Sequence, residues 1–192
     1  MPQVIVLNGC SSAGKSTLAR ALQQALPEQY LNFSIDSVLY ALPAEDLVLM
    51  QRGEPIRRRG YDWNALVRGY HYALPSLLQA GLKLIVDNAW CDREEIRELL
   101  TELAGYSVLL VGMHCDPVLA AARETARGDR APGLSAWEGP RVHAHFCYDI
   151  EIDGAWPIDQ LVAVLMAALQ SGRGWHGAHE TLARLEMAGG PA

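Results

Sequence analysis

Val4-Ile5-Val6-Leu7-Asn8-Gly9-Cys10-Ser11-Ser12-Ala13-Gly14-Lys15-Ser16-Thr17 reads as a short apolar strand, a loop bounded by glycines, and the start of a helix that continues from Leu18 to Leu26. From Gly9 onward it fits G-x-x-x-x-G-K-[ST] without a mismatch, in the strand-before, helix-after setting that a phosphate loop requires. Gly9 and Gly14 let the backbone curl, so that N–H groups of the intervening Cys10, Ser11, Ser12 and Ala13 can turn toward phosphate oxygens. The N-terminus of the following helix adds partial positive charge. Lys15 can reach the β- and γ-phosphates as a mobile charge, and the Ser16 hydroxyl can bind Mg²⁺. Residues Gly9 to Thr17 therefore predict a site for ATP with Mg²⁺.

Outward from this loop, apolar runs alternate with amphipathic ones. Strands are predicted at Leu31–Ile35, Leu82–Val86, Tyr106–Val111 and, more weakly, Tyr148–Ile152. Helices are predicted near Trp63–Gln79 (with Asp62 as N-cap and Gly81 as stop), Arg93–Leu103, Pro117–Arg127 and Ile158–Leu169. Continuous apolar strands alternating with helices predict an α/β fold of the P-loop NTPase type: an open, mainly parallel, five-stranded sheet with helices on both faces. One kinase domain is expected over residues 1–170, with an acceptor-side segment at about 37–80 and an arginine-bearing lid at about 123–140. Residues 171–192 read as a Gly- and Ala-rich tail with a loose helix around Ala178–Met187.

Ligands of open α/β sheets bind beyond the carboxyl ends of the strands, which singles out Asp36 and Asp87. Asp36 can accept the proton of an attacking hydroxyl, or cap a helix starting at Val38. Asp87 has the form of a carboxylate that holds Mg²⁺ directly or through water; orienting substrate and capping a turn with Asn88 are the other readings. Arg123, Arg127 and Arg130 recur at intervals of four and three, so on one helix they would share a face. A lid bearing Arg127 and Arg130 could surround the transferring phosphoryl group; the plain alternative is a solvated helix paired to Glu124 or Asp129. Tyr40 and Trp90, with Trp63, Tyr70 and Tyr72, suggest an aromatic acceptor pocket or, equally, core packing. Arg57-Arg58-Arg59 reads more plainly as a solvated loop than as an anion grip. His143 and His145, two residues apart, read as a surface or packed pair rather than metal ligands, and Cys10 as a small packed side chain.

The 192 residues are 50% hydrophobic and 20% charged, which excludes a disordered or collagen-like chain. A formal charge of −6 argues against a nucleic-acid or anionic-membrane partner. No apolar run is long enough to span a membrane, no signal-peptide pattern opens the chain, and Cys10, Cys91, Cys115 and Cys147 are scattered. A cytoplasmic protein with reduced thiols is expected, and a homo-oligomer is compatible with the sequence.

Several stretches resemble the chloramphenicol phosphotransferase family, ATP-dependent enzymes that phosphorylate the antibiotic's primary hydroxyl. They are Val4–Gly9 with Ser11–Ser16, Phe33–Ser37, Leu84–Asp87, Val111–Asp116, Val142-His143, Tyr148–Asp153 and, the longest, Arg123-Glu124-Thr125-Ala126-Arg127-Gly128-Asp129-Arg130. The resemblance implies a nucleoside monophosphate kinase-like fold, Asp36 as general base, and Lys15, Arg127 and Arg130 attending the phosphates. The chain departs from the family between Ala41 and Tyr61, and it has Asp87-Asn88 where two successive acids are expected. The expected activity is phosphoryl transfer from ATP to a hydroxyl of a small molecule, a chloramphenicol-like antibiotic first, with Asp36, Tyr40, Asp87 and Trp90 contacting the acceptor. Two rivals are a nucleoside monophosphate or other metabolite kinase, using Arg57–Arg59 or Arg68 on an anionic group, and a non-catalytic ATP-binding module.

Overall fold

Strands form where aliphatic side chains run without a polar break, because such runs can be covered on both faces. The structure, a computed structural model, describes residues 1–187. In chain order its elements are β1 (Val4–Asn8), α1 (Lys15–Ala25), β2 (Tyr30–Asn32), α2 (Ile35–Leu39), α3 (Ala44–Gln51), α4 (Trp63–Gln79), β3 (Lys83–Asn88), α5 (Arg93–Glu102), β4 (Val108–His114), α6 (Pro117–Arg127), α7 (Leu134–Glu138), β5 (Ile150–Asp153), α8 (Ile158–Gln170) and α9 (Gly177–Met187). All five strands pair in parallel, in the order β2-β3-β1-β4-β5. The predicted parallel sheet covered on both faces is the fold observed.

The period of two along the central strands divides the core. Val4 and Val6 join Leu84, Val86, Val108 and Leu110 on one face, which Leu39, Tyr70, Leu74, Leu99 and Leu185 of α2, α4, α5 and α9 cover. Ile5 and Leu7 join Ile85, Leu109 and Val111 on the other, covered by Leu18, Leu22, Ala120, Leu161 and Leu165 of α1, α6 and α8. Each aliphatic side chain so buried contributes about 1.5–3 kcal/mol. The central strands end in step, with Leu7 beside Asp87 and Asn8 beside both Asn88 and Gly112. That register brings the phosphate loop and Asp87 to the same carboxyl end of the sheet.

Asn8 ties this end down. Its amide donates to the Val142 carbonyl (2.7 Å) and to the Tyr148 hydroxyl (2.8 Å), while its oxygen accepts from the Trp90 backbone (3.0 Å). Gly112 is small for a reason: a Cβ there would meet the Tyr148 ring at 2.6 Å.

Several boundaries differ from expectation. The strand expected over Leu31–Ile35 stops at Asn32; Ser34 becomes the N-cap residue of α2, and Asp36 lies in that helix's first turn rather than at a strand end. The strand expected from Tyr106 starts at Val108, because Tyr106 closes the turn after α5 through its bond to the Leu103 carbonyl (3.0 Å). The strand expected from Tyr148 starts at Ile150, and Tyr148 instead turns its hydroxyl toward Asn8. Helices α3 and α7 were not expected; the acidic first turn of α3 (Glu45, Asp46) after Pro43 is the local signal for the former.

The helix expected to be loose near the end of the chain is docked. Leu185 of α9 is 2% exposed, Thr181 accepts from the Cys147 backbone (2.8 Å), and Arg93 donates to the Leu185 carbonyl. The last part of the expected tail, residues 188–192, lies outside the described residues.

Candidate active site

A cavity of about 930 Å³ opens at the carboxyl end of the sheet. Its floor is the phosphate loop, from Ser11 to Thr17 with Ala13 tucked beneath the surface. The loop's shape follows from close approaches that only its sequence allows. A Cβ on Gly9 would sit 2.4 Å from the Met113 carbonyl oxygen, so any larger residue would push the loop off β4. Gly14 adopts φ 112°, and Ser12 is held at φ 62°, a left-handed conformation uncommon outside glycine. Strained backbone of this kind persists where surrounding structure enforces it, as at ligand sites.

Lys15 is buried and folded into its own loop, donating to the carbonyls of Gly9 (2.7 Å) and Cys10 (2.8 Å). Burial pushes its ammonium pKa down, opposed by the charges of Asp87 and Glu138. Ser16 donates from Oγ to Asp87 Oδ2 (2.9 Å). Asp87 is 4% exposed, burial pushes its carboxyl up against the pull of Lys15, and its Oδ1 is buried without a partner. Ser12 Oγ is a second buried oxygen without a partner on the same floor. A hydroxyl, an adjoining carboxylate and an unsatisfied carboxylate oxygen are oxygen donors suited to Mg²⁺, which takes few protein ligands when phosphates supply the rest. Ser16 and Asp87 therefore fit the expected metal, and the loop fits a triphosphate. Among the described residues no cluster of three or more His, Cys, Asp or Glu forms a metal site; His143 bonds to the Tyr148 hydroxyl (2.8 Å) and lies beside the His114 ring.

Asp36 lines the same cavity and is held by Arg130, from the segment after α6, which donates to both its oxygens, at 3.1 and 2.5 Å. Arg123, Arg127 and Arg130 do not share one helix face, since α6 stops at Arg127. Arg123 is a structural clamp, bonded to the carbonyls of Ala13 (3.1 Å) and Gly154 (3.0 Å). Arg127 pairs with Asp129 (3.0 Å) while lining the cavity, and α6 ends at Gly128, which sends Arg130 off on a separate course. The connection from α6 to α7 is held by Glu124, whose carboxylate accepts from the backbone of Gly133 (2.6 Å) and Ser135 (2.7 Å).

Two expected acceptor contacts lie elsewhere. Trp90 is fully buried and gives its indole N–H to His71 Nε2 (3.1 Å), because its place after β3 turns the ring into the core beside Tyr70. Tyr40 caps the end of α2, is 53% exposed, and is not part of the cavity wall. Trp63 does line the cavity, while Tyr70 is core and Tyr72 faces solvent. Arg58 pairs with Asp46 (2.5 Å), and Arg68 lies 3.8 Å from Glu98, so neither is directed at the cavity. Cys10 is a buried packed thiol whose pKa burial raises, as expected of an inert side chain.

The structure adds residues that no motif announced. Glu138, at the end of α7, is buried and accepts from the Ser11 backbone N–H (2.5 Å), which sets its carboxylate on the Gly9–Thr17 loop. Burial pushes its pKa up, opposed by that backbone bond and by Lys15. Trp137, Arg141, Cys91 and Glu95 complete the wall. None of these stands at a spacing that carries meaning before the lid is folded.

The fold recurs in known proteins. A Mycobacterium tuberculosis (strain H37Rv) protein named for an expected O-phosphotransferase activity is 31% identical over 89% of this chain and 84% of its own length. A sugar kinase from Janibacter sp. HTCC2649 has the same fold, with a TM-score of 0.68 and 20% identity over 88% of this chain and 95% of that one. So does the Mycobacterium tuberculosis APS kinase solved with AMPPNP and APS, with a TM-score of 0.64 and 14% identity over 88% of this chain and 97% of that one. No described helix is long and apolar enough to cross a membrane. With residues 2–170 matching the model of chloramphenicol phosphotransferase-like proteins, the chain belongs to that family of P-loop small-molecule phosphotransferases.

Proposed function

We propose that this protein transfers the γ-phosphoryl group of ATP to a hydroxyl of a small organic molecule, with Asp36 as the general base. The observation that carries this reading is that Asp36, Lys15 and the Ser16–Asp87 pair line one cavity at the carboxyl end of the sheet. The acceptor oxygen attacks the γ-phosphorus; the bond to the oxygen bridging the β- and γ-phosphorus atoms breaks and ADP leaves. The hydroxyl proton passes to an Asp36 oxygen. Ser16 and Asp87 would hold Mg²⁺, which supplies neutralising charge at the phosphates when bound. Lys15 contributes a second positive charge from within the loop.

Arg130 links the lid to the base. While it holds both Asp36 oxygens, the carboxylate is occupied; when phosphates enter, Arg130 exchanges one anion for the other and frees Asp36 for the incoming hydroxyl. Positioning and charge neutralisation do most of the work, since a loose phosphoryl transition state needs little covalent help.

Chloramphenicol's primary alcohol is the first acceptor to test, given the family. In Asp36→Asn, calorimetric ATP affinity stays near that of the parent while turnover falls by about 10²–10⁴-fold, the span of a lost general base. An unchanged rate in that variant removes Asp36 from the mechanism. ATP binding without transfer to any hydroxyl compound in a broad panel turns the protein into a nucleotide-dependent binding module.

A further inference from the structure

An anion of the chain's own sits on the phosphate loop. Glu138, at the end of α7 and 8% exposed, sets its carboxylate against the Ser11 backbone N–H, which donates to Oε2 at 2.5 Å. Burial raises the pKa of this carboxyl, and the Ser11 bond, the Lys15 charge and the Arg130 charge oppose the rise. A loop amide, Lys15 and Arg130 are the groups the sequence sets out for phosphate oxygens. Glu138 draws on all three.

The carboxylate is presented from anchored backbone. The Glu138 carbonyl accepts from the backbone of Arg141 (2.8 Å) and Val142 (2.9 Å), and buried Val142 is fastened in turn to the Asn8 amide (2.7 Å) at the end of β1. Ahead of it, Glu124 holds the backbone of Gly133 and Ser135. Only the side chain has to move for the loop to be released, and it borders the cavity of about 930 Å³ into which it can turn. A triphosphate and this carboxylate cannot share the loop, because like charges competing for one N–H repel strongly where little water screens them.

We propose that Glu138 is an autoinhibitory residue whose carboxylate holds the phosphate site until ATP displaces it. The step is an exchange of anions in which no covalent bond changes. Ser11 N–H, Lys15 and Arg130 pass from carboxylate to phosphate, and Glu138 swings into the cavity. Arg130 lets go of Asp36 in the same exchange, so nucleotide entry opens both the loop and the base before an acceptor is engaged. This exchange rests on the loop binding ATP, as in the reading above, and is independent of which acceptor follows.

Calorimetry with a non-hydrolysable ATP analogue and Mg²⁺, without acceptor, tests it. Glu138→Gln keeps the shape and an oxygen for Ser11 but loses the charge. It should bind the analogue about 5- to 10-fold more tightly than the parent, the gap between breaking a charged and a neutral hydrogen bond. Asp92→Asn removes one charge from the same cavity and keeps a cap on α5, and its affinity should stay that of the parent. The amide resonance of Ser11 is the second readout. It should differ between parent and Glu138→Gln without nucleotide and coincide with the analogue bound, since the side chain has then left the loop in both. Unchanged or weaker binding by Glu138→Gln, an equal gain in Asp92→Asn, or Ser11 resonances that stay apart in the bound proteins overturns the proposal and leaves the phosphotransferase reading untouched. No analogue binding by parent or variant overturns both. Tighter binding by Glu138→Gln without transfer to any hydroxyl compound keeps Glu138 in this role and sinks the phosphotransferase reading alone.

Discussion

The phosphate loop and the wall that faces the lid border one cavity, yet they are built in different ways. The loop is backbone, pressed against β4 at Gly9 and Met113 and tied through Asn8 to Val142, Tyr148 and Trp90. The opposite wall is made of side chains borne on the starts of α2, α4 and α5, three helices far apart in sequence. The first can change little without losing the triphosphate site. The second can change its charge and shape one residue at a time, which is how one kinase frame comes to serve different acceptors.

Substitutions in the loop should damage all substrates alike. Lys15→Met removes the positive charge from beneath the phosphates, and turnover should fall by about 10²–10³-fold with every acceptor, the cost of losing one preorganised donor. A loss confined to one acceptor would erase the distinction between the two regions. Gly9→Ala acts on folding instead. The new Cβ meets the Met113 carbonyl at 2.4 Å, and overpacking of this kind costs about 1–3 kcal/mol in denaturant unfolding. Unchanged stability would show that the loop tolerates movement relative to β4.

A smaller effect comes from the support below the loop. His143 bonds to the Tyr148 hydroxyl (2.8 Å) and stacks 4.0 Å from His114, and burial, then the His114 charge, pulls its pKa from 6.5 to about 4. The unfolded chain therefore binds a proton between these values that the folded one refuses. Its contribution to stability is present above pH 6.5 and is lost as the pH falls toward about 4. The melting temperature should fall over that window, and less steeply in His143→Gln. Identical slopes for the two proteins would detach His143 from the acid sensitivity.

The same contrast explains what could be read before the fold was known. Gly9 to Thr17 is contiguous, so its chemistry is written in its spacing, and the apolar runs around it carry the sheet. Asp36 could be found as an acid after a strand, though its place in the first turn of α2 could not, because three residues decide where β2 stops. Trp90 and Tyr40 were misplaced since aromatic character does not say which way a ring faces: one turns into the core to meet His71, the other out to solvent. Glu138 and Glu95 reach the cavity only through the lid and the α5 start, and a glutamate outside a motif carries no address.

The central claim is that one cavity brings a triphosphate and a proton-accepting Asp36 to the same acceptor oxygen. The most direct measurement uses ATP bearing heavy oxygen on its γ-phosphate, with the product weighed after incubation with a hydroxyl acceptor. The account predicts an acceptor heavier by one labelled phosphoryl group, its own oxygen retained at the new bond, and almost none of it with Asp36→Asn. Labelled free phosphate beside an unmodified acceptor would contradict it.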